Sequence, residues 1–187
     1  TFQGYYYYAM VDDVTIKVSE DETAPVFENN TPSISATTLS GATIATDIDE
    51  AGKIYYVVLA DGATAPTVSE VKVGTGSGGA GHITSGNTAV TTGDFIHDFY
   101  VTGLTRGTYY DVYVVAEDDA STPNVQENVT KIAINTLSNT PPTFTSEPVN
   151  SAIVGQTYAY TVAATDADGD ALSYTVKEKP SWLGIEK

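Results

Sequence analysis

The stretch Gly103-Leu104-Thr105-Arg106-Gly107-Thr108-Tyr109-Tyr110-Asp111-Val112-Tyr113-Val114-Val115-Ala116-Glu117-Asp118-Asp119 decides the fold. A turn carrying two glycines leads into a strand. Side chains alternate across a strand, so Tyr110, Val112, Val114 and Ala116 share one face. Leu104 precedes Tyr110 by one short corner. A leucine, a tight corner and a tyrosine opening a strand predict that the phenol bonds back to nearby backbone and ties two sheets together. The strand then ends in Glu117, Asp118 and Asp119, which a core does not need.

Outward from this stretch the same grammar continues. Threonine, valine, tyrosine and isoleucine dominate, apolar residues alternate, and glycine or proline punctuates the runs. Strands are predicted at Ser33–Leu39, Ala42–Thr46, Lys53–Ala60, Val68–Val73, Asp94–Thr102, Thr108–Ala116 and Val129–Thr136. Short strands separated by turn signals predict an all-β chain of tandem Greek-key β-sandwiches, with truncated modules at both ends.

The chain has 187 residues, enough for roughly one to two domains. It contains no cysteine, which removes disulfides and thiolate metal sites. Eight basic residues against 24 acidic ones give a net charge of −16. That balance opposes nucleic acid and anionic membrane, whose affinity for proteins comes from lysine and arginine, and it favours cations. No run approaches the roughly 20 apolar residues of a membrane span.

Three modules emerge. Residues 23–138 carry "GKIYYVVLADGATAPTVSEVK" from Gly52 and "GLTRGTYYDVYVVAEDDASTPN" from Gly103. With the leucine-to-tyrosine corner, these motifs resemble a fibronectin type III domain, and more narrowly the repeat modules of large secreted bacterial surface proteins. The chain departs from that family in a long glycine-rich insertion and in lacking a tryptophan in this module. "NTPPTF" at Asn139 then repeats "ETAPVF" at Glu22, with proline stiffening the link and blocking continued pairing. Residues 139–187, with "GQTYAYTVAATDADGDALSYTV" and "PSWL", resemble the first half of a bacterial cadherin-like domain, in which Trp182 would be a core plug. Tyr160, Val162, Tyr174 and Trp182 lack facing strands in so short a piece, so the natural chain is expected to continue past Lys187. Residues 1–22, with "YYYYAMVDDVTIKV", resemble the closing strand of a lectin-like or carbohydrate-binding jelly roll.

The acids mark the candidate site. In a sandwich of this topology the first strand enters at the pole that carries the second-to-third and sixth-to-seventh strand loops. Glu20, Asp21 and Glu22 in the linker, Asp47, Asp49 and Glu50 in one loop, and Glu117, Asp118 and Asp119 in the other are therefore expected to converge. Carboxylates packed together repel unless a cation neutralises them, and hard oxygen ligands select calcium. Two readings stand: an interdomain Ca²⁺ site that stiffens the junction, or three solvated acidic loops.

A second cluster, Asp166, Asp168 and Asp170, sits in "ATDAD", matching "ATDID" at Ala45. An EF-hand is excluded because Ala171 stands where the loop needs glycine and Lys177 where it needs a bidentate glutamate. The cadherin-like resemblance implies one Ca²⁺ held by this triplet, although Ser138-Asn139-Thr140-Pro141-Pro142 replaces that family's acidic linker. By the jelly-roll resemblance, Asp12 or Asp13 would hold a structural calcium; a polar strand edge is the competing reading.

Other motifs carry less. Gly76-Ser77-Gly78-Gly79-Ala80-Gly81 fits a dinucleotide fingerprint by letter, but no helix follows to hold a pyrophosphate. Such an insertion reads as a flexible loop over Gly74–Gly93, with a recognition loop as the alternative reading. His97 faces the core in "DFIHDFYV" while Asp98 points the other way, which spoils a nucleophile relay, and His82 is the only other histidine. Tyr5–Tyr8 present rings to a sugar or simply pack. Asn29-Asn30-Thr31 and Asn128-Val129-Thr130 match glycosylation acceptors, weakly for modules of bacterial type.

The expectation is therefore a non-catalytic segment of a large secreted or cell-surface protein, a bacterial adhesin stalk with Ca²⁺-stiffened junctions. Its partners would be the neighbouring modules of the same chain, with glycans or surface proteins reached through other modules. The alternatives are an accessory region of a secreted polysaccharide-degrading enzyme, and a protein-binding module acting through the glycine-rich loop or a sheet edge.

Overall fold

The computed structural model describes residues 21–91 and 95–184. Among them, β1 (Ser33–Thr37), β2 (Gly41–Asp47) and β3 (Gly52–Ala60) lead to a short helix, α1 (Val68–Val73), and a 3-10 turn at Ser77–Gly79. Then come β4 (Thr84–Val90), β5 (Ile96–Thr102), β6 (Tyr109–Asp118) and β7 (Thr130–Asn135). These strands form two antiparallel sheets, ordered β1-β2-β5 and β4-β3-β6-β7. Further on, β8 (Thr143–Phe144) pairs with β9 (Ala164–Thr165).

The core lies between the two sheets. Tyr110, Val112, Val114 and Ala116 all face it, packed with Ile44, Ile54, Val58, Phe99, Val101, Leu104 and Ile134. Burying a side chain of this kind contributes about 1.5–3 kcal/mol. The corner forms as the sequence predicts: the Thr105 N–H donates to the Tyr110 hydroxyl at 2.8 Å. Leu104 is buried, and its N–H donates to the Ser40 carbonyl at 2.9 Å, which ties the β5–β6 corner to the β1–β2 hairpin.

The outer face of the four-stranded sheet is buried too. Tyr55, Val57, Leu59, Tyr113 and Val115 form a second apolar cluster, closed by Val71 of α1. This is where the structure departs from the predicted strands. Val68–Val73 is a helix because Thr67 caps it: its hydroxyl accepts from the Glu70 N–H while the Glu70 carboxylate accepts from the Thr67 N–H. Gly74 ends the helix in the left-handed conformation at φ 79°. The missing strand is β4, which crosses the glycine-rich region expected to be a loop. Its Gly86 lies opposite Tyr56, and a β-carbon there would come within 2.7 Å of the ring. Sequence patterning missed β4 because an edge strand lying over a tyrosine needs no apolar alternation.

β6 is also longer than predicted, running through Glu117 and Asp118. Gly52 permits this, since a β-carbon there would sit 2.1 Å from the Glu117 carbonyl oxygen. In residues 143–184, Trp182 is 70% exposed and is no core plug among the described residues; Tyr174 and Val176 are exposed as well. The Tyr160 hydroxyl is instead hydrogen-bonded to the Ser146 hydroxyl at 2.7 Å. Among the described residues no helix is long and apolar enough to cross a membrane.

Candidate metal centre

At the pole where the chain enters the sandwich, the segment 21–28 docks against the β2–β3 and β6–β7 loops. Phe27 bridges to Ile48, and the Glu28 N–H donates to the Asp47 carbonyl at 2.9 Å. The Val26 N–H donates to Asp49 Oδ1 at 2.7 Å, and the Asp49 N–H returns a bond to the Val26 carbonyl at 3.2 Å. From the other loop, Asn124 Nδ2 donates to the Asp21 carbonyl at 2.9 Å and Gln126 Nε2 to the Pro25 carbonyl at 2.8 Å. Two side-chain amides thus hold the entering backbone in place of a strand ladder.

This docking brings Asp21, Glu50 and Asp118 together, with carboxylate oxygens all within 4.8 Å of one another. The alternation of β6 selects Asp118: continuing the inward series Tyr110, Val112, Val114, Ala116 by two places lands on it. Asp118 is buried, Glu50 half-buried and Asp21 exposed. Asp118 Oδ1 accepts the Asn124 and Ala120 N–H groups at 2.8 and 3.2 Å, and its Oδ2 accepts from Asn124 Nδ2 at 2.6 Å. Asp21 Oδ1 accepts the Thr23 N–H at 3.0 Å and the Thr23 hydroxyl at 2.8 Å. These bonds fix the orientation of two of the three acids.

The electrostatics follow from crowding. Burial, then the charge of Asp21 and a hydrogen bond shared with it, and then Asp49 and Asp118, push the Glu50 carboxyl up to about 7. The Thr23 hydrogen bonds hold Asp21 below its ordinary value. Among the described residues, none of the three ion pairs reaches the trio. Three carboxylates with no protein cation among them form a donor set of the kind that hard divalent ions take.

The remaining acids singled out from the sequence go elsewhere. Asp47 is buried and accepts from Asn29 Nδ2 at 2.6 Å, and Asp49 is spent on the Val26 amide. Glu22 and Asp119 are exposed and stand outside the trio. Glu20, Asp12, Asp13 and Tyr5–Tyr8 lie outside the described residues. Glu117 points to the opposite face of β6, where Lys72 Nζ and the Tyr55 hydroxyl both donate to it. Burial pushes the Glu117 carboxyl up, but those two hydrogen bonds together with the charges of Lys72 and Lys53 outweigh it and hold the group below its ordinary value. Burial and the bond to Glu117 raise Tyr55. Lys53 and Lys72 also stand over the Tyr55 ring, at 5.0 and 5.7 Å from its centroid. Lys72 escaped the sequence reading because its strand was in fact a helix.

In the second acidic loop, Asp166 Oδ1 accepts the Asp168 and Asp170 N–H groups at 2.9 and 3.1 Å. Asp168 Oδ2 accepts the Thr140 N–H at 2.5 Å, and Asp170 pairs with both Nη atoms of Arg106 at 2.8 and 3.0 Å.

The glycine-rich stretch borders a cavity of about 330 Å³ lined by Leu59, Ala63, Gly76, Ser77, His82 and Ile83. His82 there has Ser85 Oγ at 3.4 Å, while His97 packs edge-on against Phe99 with ring centroids 4.7 Å apart. No protein-family model matches the chain, and no curated protein or solved structure does so either.

Proposed function

We propose that this chain is a non-catalytic, extracellular segment of a multi-module surface protein, a stalk in which a divalent cation, calcium by its preference for oxygen ligands, stiffens the junction at the entering pole. The observation that carries this reading is the meeting of Asp21, Glu50 and Asp118, drawn from three segments far apart in sequence, with no lysine or arginine paired to them among the described residues. An ion there would take the three carboxylates and complete its six to eight ligands with water. Because Asp21 belongs to the entering segment and the other two to the sandwich, binding would lock one to the other.

The sheet orders β1-β2-β5 and β4-β3-β6-β7, with the Tyr110 corner, support a fibronectin type III-like module; a cadherin-like module after Ser138 remains part of the proposal. The acidic charge of −16 suits an extended, self-repelling surface protein.

Calcium titration of the 187-residue chain, followed by melting temperature and by calorimetry, tests the reading. Binding stabilises by about 2.7 kcal/mol at a hundredfold excess over Kd, and Glu50→Gln should remove most of that response. Unchanged melting at millimolar calcium, or an equal response in Glu50→Gln, overturns it.

A further inference from the structure

We propose that Arg106 is a built-in cation for the Asp166–Asp170 loop, so that the junction after Ser138 is clamped by the chain itself and needs no dissolved metal ion. The proposal stands independently of any metal at the entering pole.

Four observations carry it. Arg106 is the chain's single arginine, and its two Nη atoms grip both oxygens of Asp170 at 2.8 and 3.0 Å. That parallel two-bond fork is the arrangement a guanidinium makes with a carboxylate and a lysine ammonium does not. Arg106 Nη1 also donates to Asn139 Oδ1, so one side chain holds both the linker and the loop.

Each acid of the loop also already has a partner within the chain. Asp166 Oδ1 accepts two amides of its own loop, Asp168 Oδ2 accepts the linker Thr140 N–H, and Asp170 is taken by Arg106. The linker amide and the guanidinium thus both meet the loop to which the sequence resemblance assigns calcium.

Arg106 is presented by a rigid mount. On its N-terminal side the Thr105 N–H is held by the Tyr110 hydroxyl, and the Thr105 carbonyl accepts from the Thr136 hydroxyl at 2.7 Å. The Arg106 carbonyl accepts from the Thr108 hydroxyl at 3.0 Å. On its C-terminal side Gly107, at φ 59°, donates its N–H to the Leu137 carbonyl at 2.9 Å. A β-carbon at Gly107 would meet Ser138 Oγ at 3.0 Å, so the corner and the linker touch here. The tyrosine corner that joins the sheets therefore also aims the arginine at the next segment, across a linker stiffened by Pro141-Pro142.

The pair is partly solvated, with Arg106 and Asp170 side chains 45% and 40% exposed, so its contribution is to orientation and not to the stability of either unit. The absence of cysteine allows two spin labels to be placed at will, at Ser69→Cys on α1 and Thr157→Cys beyond the linker, both exposed positions. In chelator the full chain should give one narrow inter-label distance distribution, unchanged by millimolar calcium. Arg106→Ala, Asp170→Asn and Arg106→Lys should each widen it about twofold, and the double exchange Arg106→Asp with Asp170→Arg should narrow it again. Should Arg106→Ala fail to fold, Asp170→Asn tests the same contact from the far side. An unchanged width in both variants, or a wild-type distribution that narrows only when calcium is added, overturns the proposal. Since both labels lie past the entering pole, neither result bears on the metal proposed there.

Discussion

The two poles of the sandwich solve the same problem with opposite means. At each, acidic side chains gather where one segment joins the next. At the entering pole Asp21, Glu50 and Asp118 come together without a basic partner among the described residues. At the leaving pole Asp170 meets Arg106, and Asp166 and Asp168 each accept from backbone amides. In a chain with eight basic residues, the placement of one arginine gives the Asp166–Asp170 loop a cation that the entering trio lacks among the described residues. An acidic loop is informative only together with the cations, or lack of them, in its reach.

The largest effect that would break this comparison is expected at Asp118. It receives two backbone N–H groups and the Asn124 amide, and Asn124 in turn holds the Asp21 carbonyl. Asp118→Ala should cost about 3 kcal/mol in urea denaturation, because buried donors lose their acceptor, and should free the entering segment as well. A loss below about 1 kcal/mol would mean that the loop is braced without Asp118.

Next in size is the opposite face of the same strand. Glu117→Gln should cost about 2 kcal/mol, since Lys72 keeps only a neutral partner. Glu117 has its folded value depressed, so its contribution is present above the unfolded value near 4.5 and is lost as pH falls through the folded one. Denaturation midpoints at pH 7 and in mild acid should therefore differ less in Glu117→Gln than in wild type; an equal difference would remove Glu117 from the acid response.

The effect at Glu50 has the opposite sign. Its folded value is raised to about 7 from 4.5, so the folded protein holds a proton that the unfolded chain has released. In chelator, stability should decline as pH rises from about 4.5 to about 7, and Glu50→Gln should flatten that decline. A carboxyl resonance of Glu50 titrating in the ordinary glutamate range would show the trio to be looser than its geometry implies.

Much of the fold was legible because it is local and periodic. The run from Leu104 to Ala116 specified the corner, the inward face and the sandwich, and each is found in place. The same alternation, extended two residues, separates Asp118 from Glu117; the run of three acids hid it because the strand was expected to stop at Ala116. Helix α1 was missed although its Thr67 and Glu70 capping pair is written in the sequence, since three valines in six residues fit a strand equally well. Strand β4 left no comparable signal.

By itself, then, the sequence determined the strand periodicity, the corner, the acidic charge and the pole at which linker and loops converge, all properties of neighbouring residues or of a known strand order. Only the tertiary structure decided which three of the acids meet, that Lys72 claims Glu117, and that Arg106 reaches Asp170 64 residues further along the chain. Such pairings depend on side chains closing the last few ångströms between segments. That distance is set by docking and by glycines such as Gly52, not by spacing along the chain.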